Sequence, residues 1–209
     1  MKIDTTLYLV TDSTGKTNEE FLNIIEKACK GGITLLQLRE KNRSGRDLLA
    51  LAIQVRELAD KYNVPLIIDD RVDIALASGA AGVHVGQSDI PVHYARELMG
   101  KYKIVGASAK TVEQAVEAYK QGADYLGAGA IYPTTTKVVT QITEVTTLNE
   151  ICKSVPIPVV AIGGLNKDNM HILKDSPISG ISVVSAIMKS DNPQQSAAEL
   201  KKKIADMLA

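Results

Sequence analysis

The chain has 209 residues, 45% of them hydrophobic and 23% charged, so at roughly 150 residues per domain it holds enough apolar material for one large core. Its 24 Lys and Arg balance 24 Asp and Glu, which leaves no global field to draw in nucleic acid or an anionic membrane. No apolar run reaches the about 18 residues of a membrane span, and Met1-Lys2-Ile3-Asp4 leads into a strand-like segment rather than a signal peptide, so a cytoplasmic protein is expected.

In chain order, a strand is predicted over residues 7–10, then a helix over 18–30 with Thr17 as N-cap and Glu20 as its capping-box partner. Strand 34–38 precedes a helix at 45–62 capped by Ser44, strand 66–68 a helix at 71–78, and strand 82–85 a helix at 91–99. Strand 104–107 leads to a helix at 112–121 capped by Thr111, and strand 125–128 to a helix at 145–153. Strand 159–162 leads to a helix at 167–174, and strand 180–184 to a last helix near 193–208. Gly31 with Gly32, Gly79, Gly100 and Gly122 close helices. Eight βα units without a polar linker predict an α/β fold, a single-domain (β/α)8 TIM barrel over residues 1–209. A doubly wound open sheet shares this alternation and is the competing architecture. The one long stretch without a period is 129–144, and its Pro-Thr-Thr-Thr-Lys makes it a candidate ligand lid. Cys29 and Cys152 fall in amphipathic helical stretches and read as small core residues, not as a disulfide or metal pair.

In a parallel barrel all strands end on one face, where reactive groups collect. Every strand here runs into polar or glycine-rich sequence: Thr11-Asp12, Gln37 to Lys41, Asp69-Asp70-Arg71, His84 to Asp89, Ser108, Thr134-Thr135-Thr136-Lys137, Gly163-Gly164 and Val184-Ser185. Alternation sends Gln37, Arg39 and Lys41 to one side of the second strand and Leu36, Leu38 and Glu40 to the other. The two cations either form a ladder with Glu40 or face an anion that offsets their desolvation, and a diphosphate would serve. Asp70 and Asp89 follow adjacent strands. Their carboxylates, with phosphate oxygens and water, describe a Mg2+ site, unless each simply caps the helix after it. His84, between Val83 and Val85, reads as a hydrogen-bonded core residue, His93 and His171 read as surface, and nothing has zinc spacing. Gly163-Gly164 before a helix expected near Asn166, and Ser185 before Ala186, fit the place where such barrels hold phosphate through backbone N–H groups. Thr134, Thr135 and Thr136 add hydroxyls there, and Lys137 could reach between a terminal phosphate and the cations of the second strand.

Together these segments resemble the thiamine-phosphate synthase family over essentially the whole chain. The resemblance is carried by Tyr8-Leu9-Val10-Thr11-Asp12, Gln37-Leu38-Arg39-Glu40-Lys41, Asp70-Arg71-Val72-Asp73, His84-Val85-Gly86-Gln87 closed by Asp89, Ile131-Tyr132-Pro133-Thr134 with Thr136-Lys137, Ala161-Ile162-Gly163-Gly164 and Val184-Ser185-Ala186-Ile187. It implies a transferase that joins an aminopyrimidine methyl diphosphate to a thiazole ethyl phosphate, or its carboxylated form, giving thiamine phosphate and pyrophosphate. Carried over residue by residue, Gln37, Leu38, Arg39, Glu40 and Lys41 with Asp69, Ser108 and Lys137 would hold the pyrimidine diphosphate. Arg39, Lys41, Ser108 and Lys137 would be the catalytic members. Asp70 and Asp89 would coordinate one Mg2+, and Thr134, Thr135, Thr136, Gly164, Val184 and Ser185 would receive the thiazole phosphate. The expected partners are therefore two small phosphorylated substrates, with no nucleic acid and no membrane, and a homo-oligomer is left open. No protein nucleophile is required, because the electron-rich aminopyrimidine can bear a positive methylene carbon once the diphosphate's growing charge is neutralised.

The chain departs from the family pattern in two places. Asp69 stands where relatives usually carry Asn, as an extra metal-side acceptor or a protonated donor, and residues 138–143 replace a charged, small-residue stretch. Two other readings compete: a thiazole tautomerase paralogue, which tends to lose the diphosphate residues this chain keeps, and a non-catalytic phosphate-ligand barrel.

Overall fold

Four-residue runs such as Leu7-Tyr8-Leu9-Val10 and Val159-Val160-Ala161-Ile162 are apolar on both faces, as strands of a parallel sheet covered on both sides must be. The computed structural model describes residues 3–134 and 142–208. Its strands are β1 (Leu7–Val10), β2 (Leu35–Leu38), β3 (Leu66–Asp69), β4 (Gly82–Val85), β5 (Ile104–Ala109), β6 (Tyr125–Ala128), β7 (Val159–Ile162) and β8 (Gly180–Val183). Each pairs in parallel with the next, and β1 returns to β8 through Leu7 opposite Ile181, Tyr8 opposite Ser182 and Leu9 opposite Val183. That last pairing closes the barrel and excludes the open doubly wound sheet.

The helices are α1 (Asn18–Lys30), α2 (Gly45–Asp60), α3 (Val72–Ser78), α4 (Val92–Met99), α5 (Val112–Lys120), α6 (Val145–Ser154), α7 (Ser185–Met188) and α8 (Pro193–Leu208). In α1, Phe21, Ile25, Ala28 and Cys29 make one buried stripe at helical spacing. Burying Phe21 and Ile25 contributes about 1.5–3 kcal/mol each. The start of α1 is fixed by a capping box: Thr17 Oγ1 accepts from the Glu20 N–H at 3.2 Å, and the Glu20 carboxylate accepts from the Thr17 N–H at 2.8 Å. Ser44 and Thr111 cap α2 and α5 as expected, each accepting from the N–H three residues on, Asp47 and Gln114. After β7 the expected helix over 167–174 is reduced to one 3-10 turn, Met170–Leu173. Asn166 caps the segment, accepting from the N–H groups of Asp168 and Asn169 while the Asn169 side chain accepts from Asn166 N–H, but the backbone then continues through i→i−3 bonds, Lys174 N–H to His171 O and Ser176 N–H to Leu173 O, in place of an α-helix. A helix near Asn166 is therefore corrected, and the short α7 appears directly after β8 instead.

The wall of the barrel separates two apolar layers. Leu7, Leu9, Leu36, Leu38, Ile68, Val83 and Val85 point outward under the helices, whereas Tyr8, Val10, Leu35, Ile67, Ile104, Tyr125 and Val160 fill the interior. Among the described residues no helix is long and apolar enough to cross a membrane. The Tyr125 ring crosses the interior over Gly106, where an added Cβ would overlap the phenol. Gly106→Ala is accordingly expected to cost about 1–3 kcal/mol by overpacking. Denaturant unfolding checks this, and an unchanged midpoint would show that the interior yields.

Candidate active site

Strand alternation carries the second strand's cations to the rim above that interior. Lys41 Nζ lies 2.7 Å from Asp69 Oδ2 and is also hydrogen-bonded to the Asp70 carboxylate, while Arg39 Nε lies 3.9 Å from the same Asp69 oxygen. The Arg39 N–H donates to Thr11 Oγ1 at 3.1 Å, which ties the ends of β1 and β2 together. Burial pulls the Lys41 amine down, but Asp69 and Asp70 outweigh it and hold the group above its usual 10.5, so it stays charged. Asp69, at the end of β3, lies within ion-pair range of both cations. Glu40 takes no part in a ladder with them: it accepts from Ser13 Oγ at 2.7 Å and from Arg43 Nε at 2.9 Å on the other side of the segment. Leu38 is buried in the outer layer, so the structure brings Arg39, Lys41 and Asp69 together and turns the side chains of Leu38 and Glu40 away.

Asp70 has φ +58°, a left-handed conformation uncommon outside glycine, and its N–H donates to His84 O at 2.8 Å. That turn places it beside Asp89, whose Oδ2 accepts from Gly86 N–H at 2.8 Å. Neither is a cap, since α3 and α4 begin without a side-chain cap. Burial raises the Asp89 carboxyl, the Gly86 N–H pulls it back, and Asp70 raises it again, leaving it above the usual 3.8. Two crowded carboxylates suit a hard divalent cation. Among the described residues no three His, Cys, Asp or Glu side chains cluster as a ligand set, so such an ion would complete its shell with phosphate oxygens and water.

Below the rim lies a chain of hydrogen bonds. Gln37 Nε2 donates to Tyr8 Oη at 2.6 Å, Tyr8 Oη and Tyr125 Oη are 2.7 Å apart, His84 Nδ1 is 3.0 Å from Tyr125 Oη, and His84 Nε2 is 2.9 Å from Ser108 Oγ. Burial pushes the His84 imidazole down to about 4 against the pull of Asp89, so the ring is neutral near pH 7. His84 is the hydrogen-bonded core residue the sequence indicates, and His93 and His171 are exposed. From the sequence Tyr8 stands only as part of the Tyr8 to Asp12 motif, with no role of its own, and Tyr125 only within a strand. The available signal was their inward register together with Gly106, which leaves room for the Tyr125 ring.

Across the rim, Gly163 and Gly164 have φ +103° and +66°, and added Cβ atoms there would run into Ala130 and Tyr132. Tyr132 N–H donates to Gly163 O at 3.0 Å and Asn169 Nδ2 to Gly164 O at 2.8 Å, which holds this loop against the segment ending at Thr134. Val184 and Ser185 stand at the start of α7. Thr135, Thr136 and Lys137, with the stretch to residue 141, lie outside the described residues. Burial pushes the Cys29 and Cys152 thiols up to about 12 and about 11, so neither is a ready nucleophile.

A carboxyl whose folded-state pKa is raised favours the fold while protonated, and that contribution is lost as pH rises through the folded value. Asp89→Asn is therefore expected to raise the melting temperature of the metal-free protein at pH 7, with the gain vanishing below the usual 3.8. Thermal melts across pH check this, and a variant that melts lower than the parent at pH 7 would contradict it.

Residues 7–187 match the model of a family described as thiamine monophosphate synthase. Among relatives, the thiamine-phosphate synthase of Methanobrevibacter smithii is 52% identical over 200 residues, covering 96% of this chain and 95% of its own. Thiamine-phosphate synthase 2 of Streptococcus pneumoniae is 48% identical over 203 residues, 97% of each chain. The solved structure of a thiamine phosphate pyrophosphorylase from Pyrococcus furiosus superposes with a TM-score of 0.90 at 38% identity, covering 99% of this chain and 98% of that one.

Proposed function

The chain belongs to the thiamine monophosphate synthase family, and from that premise we propose how the rim performs the reaction. The activity is thiamine-phosphate synthesis, a transferase reaction. In our reading the pyrimidine diphosphate lies against Arg39, Lys41, Ser108 and Lys137, with Gln37 and Asp69 behind them. Leu38 and Glu40 would contribute backbone only, because their side chains face the other way. The thiazole phosphate is received by Thr134, Thr135, Thr136, Gly164, Val184 and Ser185. Asp70 and Asp89 would hold one Mg2+, which when bound supplies charge neutralisation to the leaving diphosphate.

The bond between the pyrimidine methylene carbon and the diphosphate oxygen breaks with its electron pair on the oxygen, and the thiazole nitrogen then forms the new bond to that carbon. Arg39, Lys41 and Lys137 stabilise the charge that grows on the leaving oxygens, and for Arg39 and Lys41 the effect is fixed before the reaction starts because these two cations are already oriented. Substrate phosphate competes with Asp69 and Asp70 for Lys41, so the amine exchanges one anion for another without crossing apolar surface. The single observation that carries this reading is Lys41 set between Asp69 and Asp70 beside Arg39, on the rim that also bears Asp89 and Ser108. It also separates the reading from a tautomerase or a passive phosphate barrel, neither of which needs a diphosphate cluster. We take residues 1–209 as one domain acting in the cytoplasm on two small phosphorylated substrates.

Mixing both substrates with protein and Mg2+ is expected to release pyrophosphate only when both are present, and proton exchange on the thiazole alone would indicate the tautomerase. Asp70→Ala and Lys137→Ala are each expected to lower kcat by about two to three orders of magnitude while the melting temperature stays near that of the parent. Unchanged rates would remove the site assignment.

A further inference from the structure

Five polar side chains run in file through the barrel interior from Gln37 on β2 to Ser108 on β5, and the reaction described above uses only the two ends. The protons in this file can be counted. Gln37 Nε2 donates to Tyr8 Oη at 2.6 Å, so the single Tyr8 proton goes to Tyr125 Oη, 2.7 Å away. The Tyr125 proton then goes to His84 Nδ1 at 3.0 Å. A neutral imidazole that accepts at Nδ1 carries its hydrogen at Nε2, and that hydrogen is given to Ser108 Oγ at 2.9 Å. Every acceptor is filled in turn, and the hydrogen left over is that of the Ser108 hydroxyl.

We propose that this file fixes Ser108 as a hydrogen-bond donor to an acceptor atom of the pyrimidine substrate, with Tyr8, Tyr125 and His84 as positioning residues that set the direction of donation. The inference rests on the pyrimidine-diphosphate reading of the same rim. If the file ran the other way, Ser108 would donate into His84 and offer substrate only lone pairs, which an anionic diphosphate and the ring nitrogens of a pyrimidine do not want. The barrel is built to hold the file in place. Gly106 leaves the space the Tyr125 phenol occupies. The Tyr8 and Tyr125 rings meet edge to face with centroids 5.8 Å apart, and Gln87 Nε2 holds the Ser108 carbonyl at 2.7 Å. Buried hydroxyls in such a file have no water to turn toward, so the polarity chosen at Gln37 persists to the far end.

Nitrogen NMR of the 15N-labelled protein with Mg2+ reads the tautomer directly, with the His84 signals identified by their loss in His84→Gln. The expected result is a neutral His84 protonated at Nε2. Protonation at Nδ1, or an imidazolium at pH 7, overturns the proposal. Kinetics supply the second readout. Tyr125→Phe cuts the file and is expected to lower kcat/KM for the pyrimidine substrate about tenfold while KM for the thiazole phosphate holds, and Ser108→Ala should then cost less in Tyr125→Phe than in the parent. An equal cost of Ser108→Ala in both backgrounds overturns the proposal. A protein that releases pyrophosphate normally but carries His84 protonated at Nδ1 defeats this inference alone, whereas a protein that never releases pyrophosphate defeats the reading of the site and this inference with it.

Discussion

The pairing of β1 with β8 is the constraint from which the rest of the molecule follows. Once the eight strands close, every second side chain must enter an interior with no bulk water, and every strand must deliver its C-terminal end to a common rim. The interior accepts apolar groups such as Leu35, Ile67 and Val160 without penalty. Gln37, Tyr8, Tyr125 and His84 can enter only by hydrogen-bonding to one another, because a buried polar group left alone costs about 1–3 kcal/mol. The polar file below the rim is the form in which the barrel tolerates them.

At the rim the energetic argument runs the other way. Lys41 is partly exposed, and an ion pair in such a place contributes about 0–1 kcal/mol, too little to explain a cluster of Arg39, Lys41, Asp69 and Asp70 as a device for stability. The raised carboxyl of Asp89 even works against the fold at neutral pH. In the proposed reading these charges serve a ligand: cations already oriented by carboxylates, and carboxylates crowded enough to welcome a cation, would form a surface that a metal diphosphate completes.

Much of this was legible in the sequence because the signals were local. Leu7-Tyr8-Leu9-Val10 and Gly82-Val83-His84-Val85 are short apolar runs bounded by polar turns, and both became strands with the predicted bounds. Two-residue spacing correctly separated Arg39 and Lys41 from Glu40. Where the sequence misled, the start was right and the continuation was not: Asn166 and Asn169 cap the segment, yet the pattern that reads as a helix over 167–174 yields one 3-10 turn. The inner file was harder to see, because its members come from five strands and only closure brings them together. Tyr125 finds its space in Gly106, nineteen residues earlier, and no local period announces that fit.

The central claim is that one rim binds the diphosphate between a divalent cation and fixed positive side chains. A crystal structure of the protein with Mg2+ and inorganic pyrophosphate tests it most directly. The account predicts pyrophosphate against Arg39 and Lys41, with the metal held by Asp70 and Asp89. Pyrophosphate bound at the opposite mouth of the barrel, or a metal that ignores both carboxylates, would contradict it.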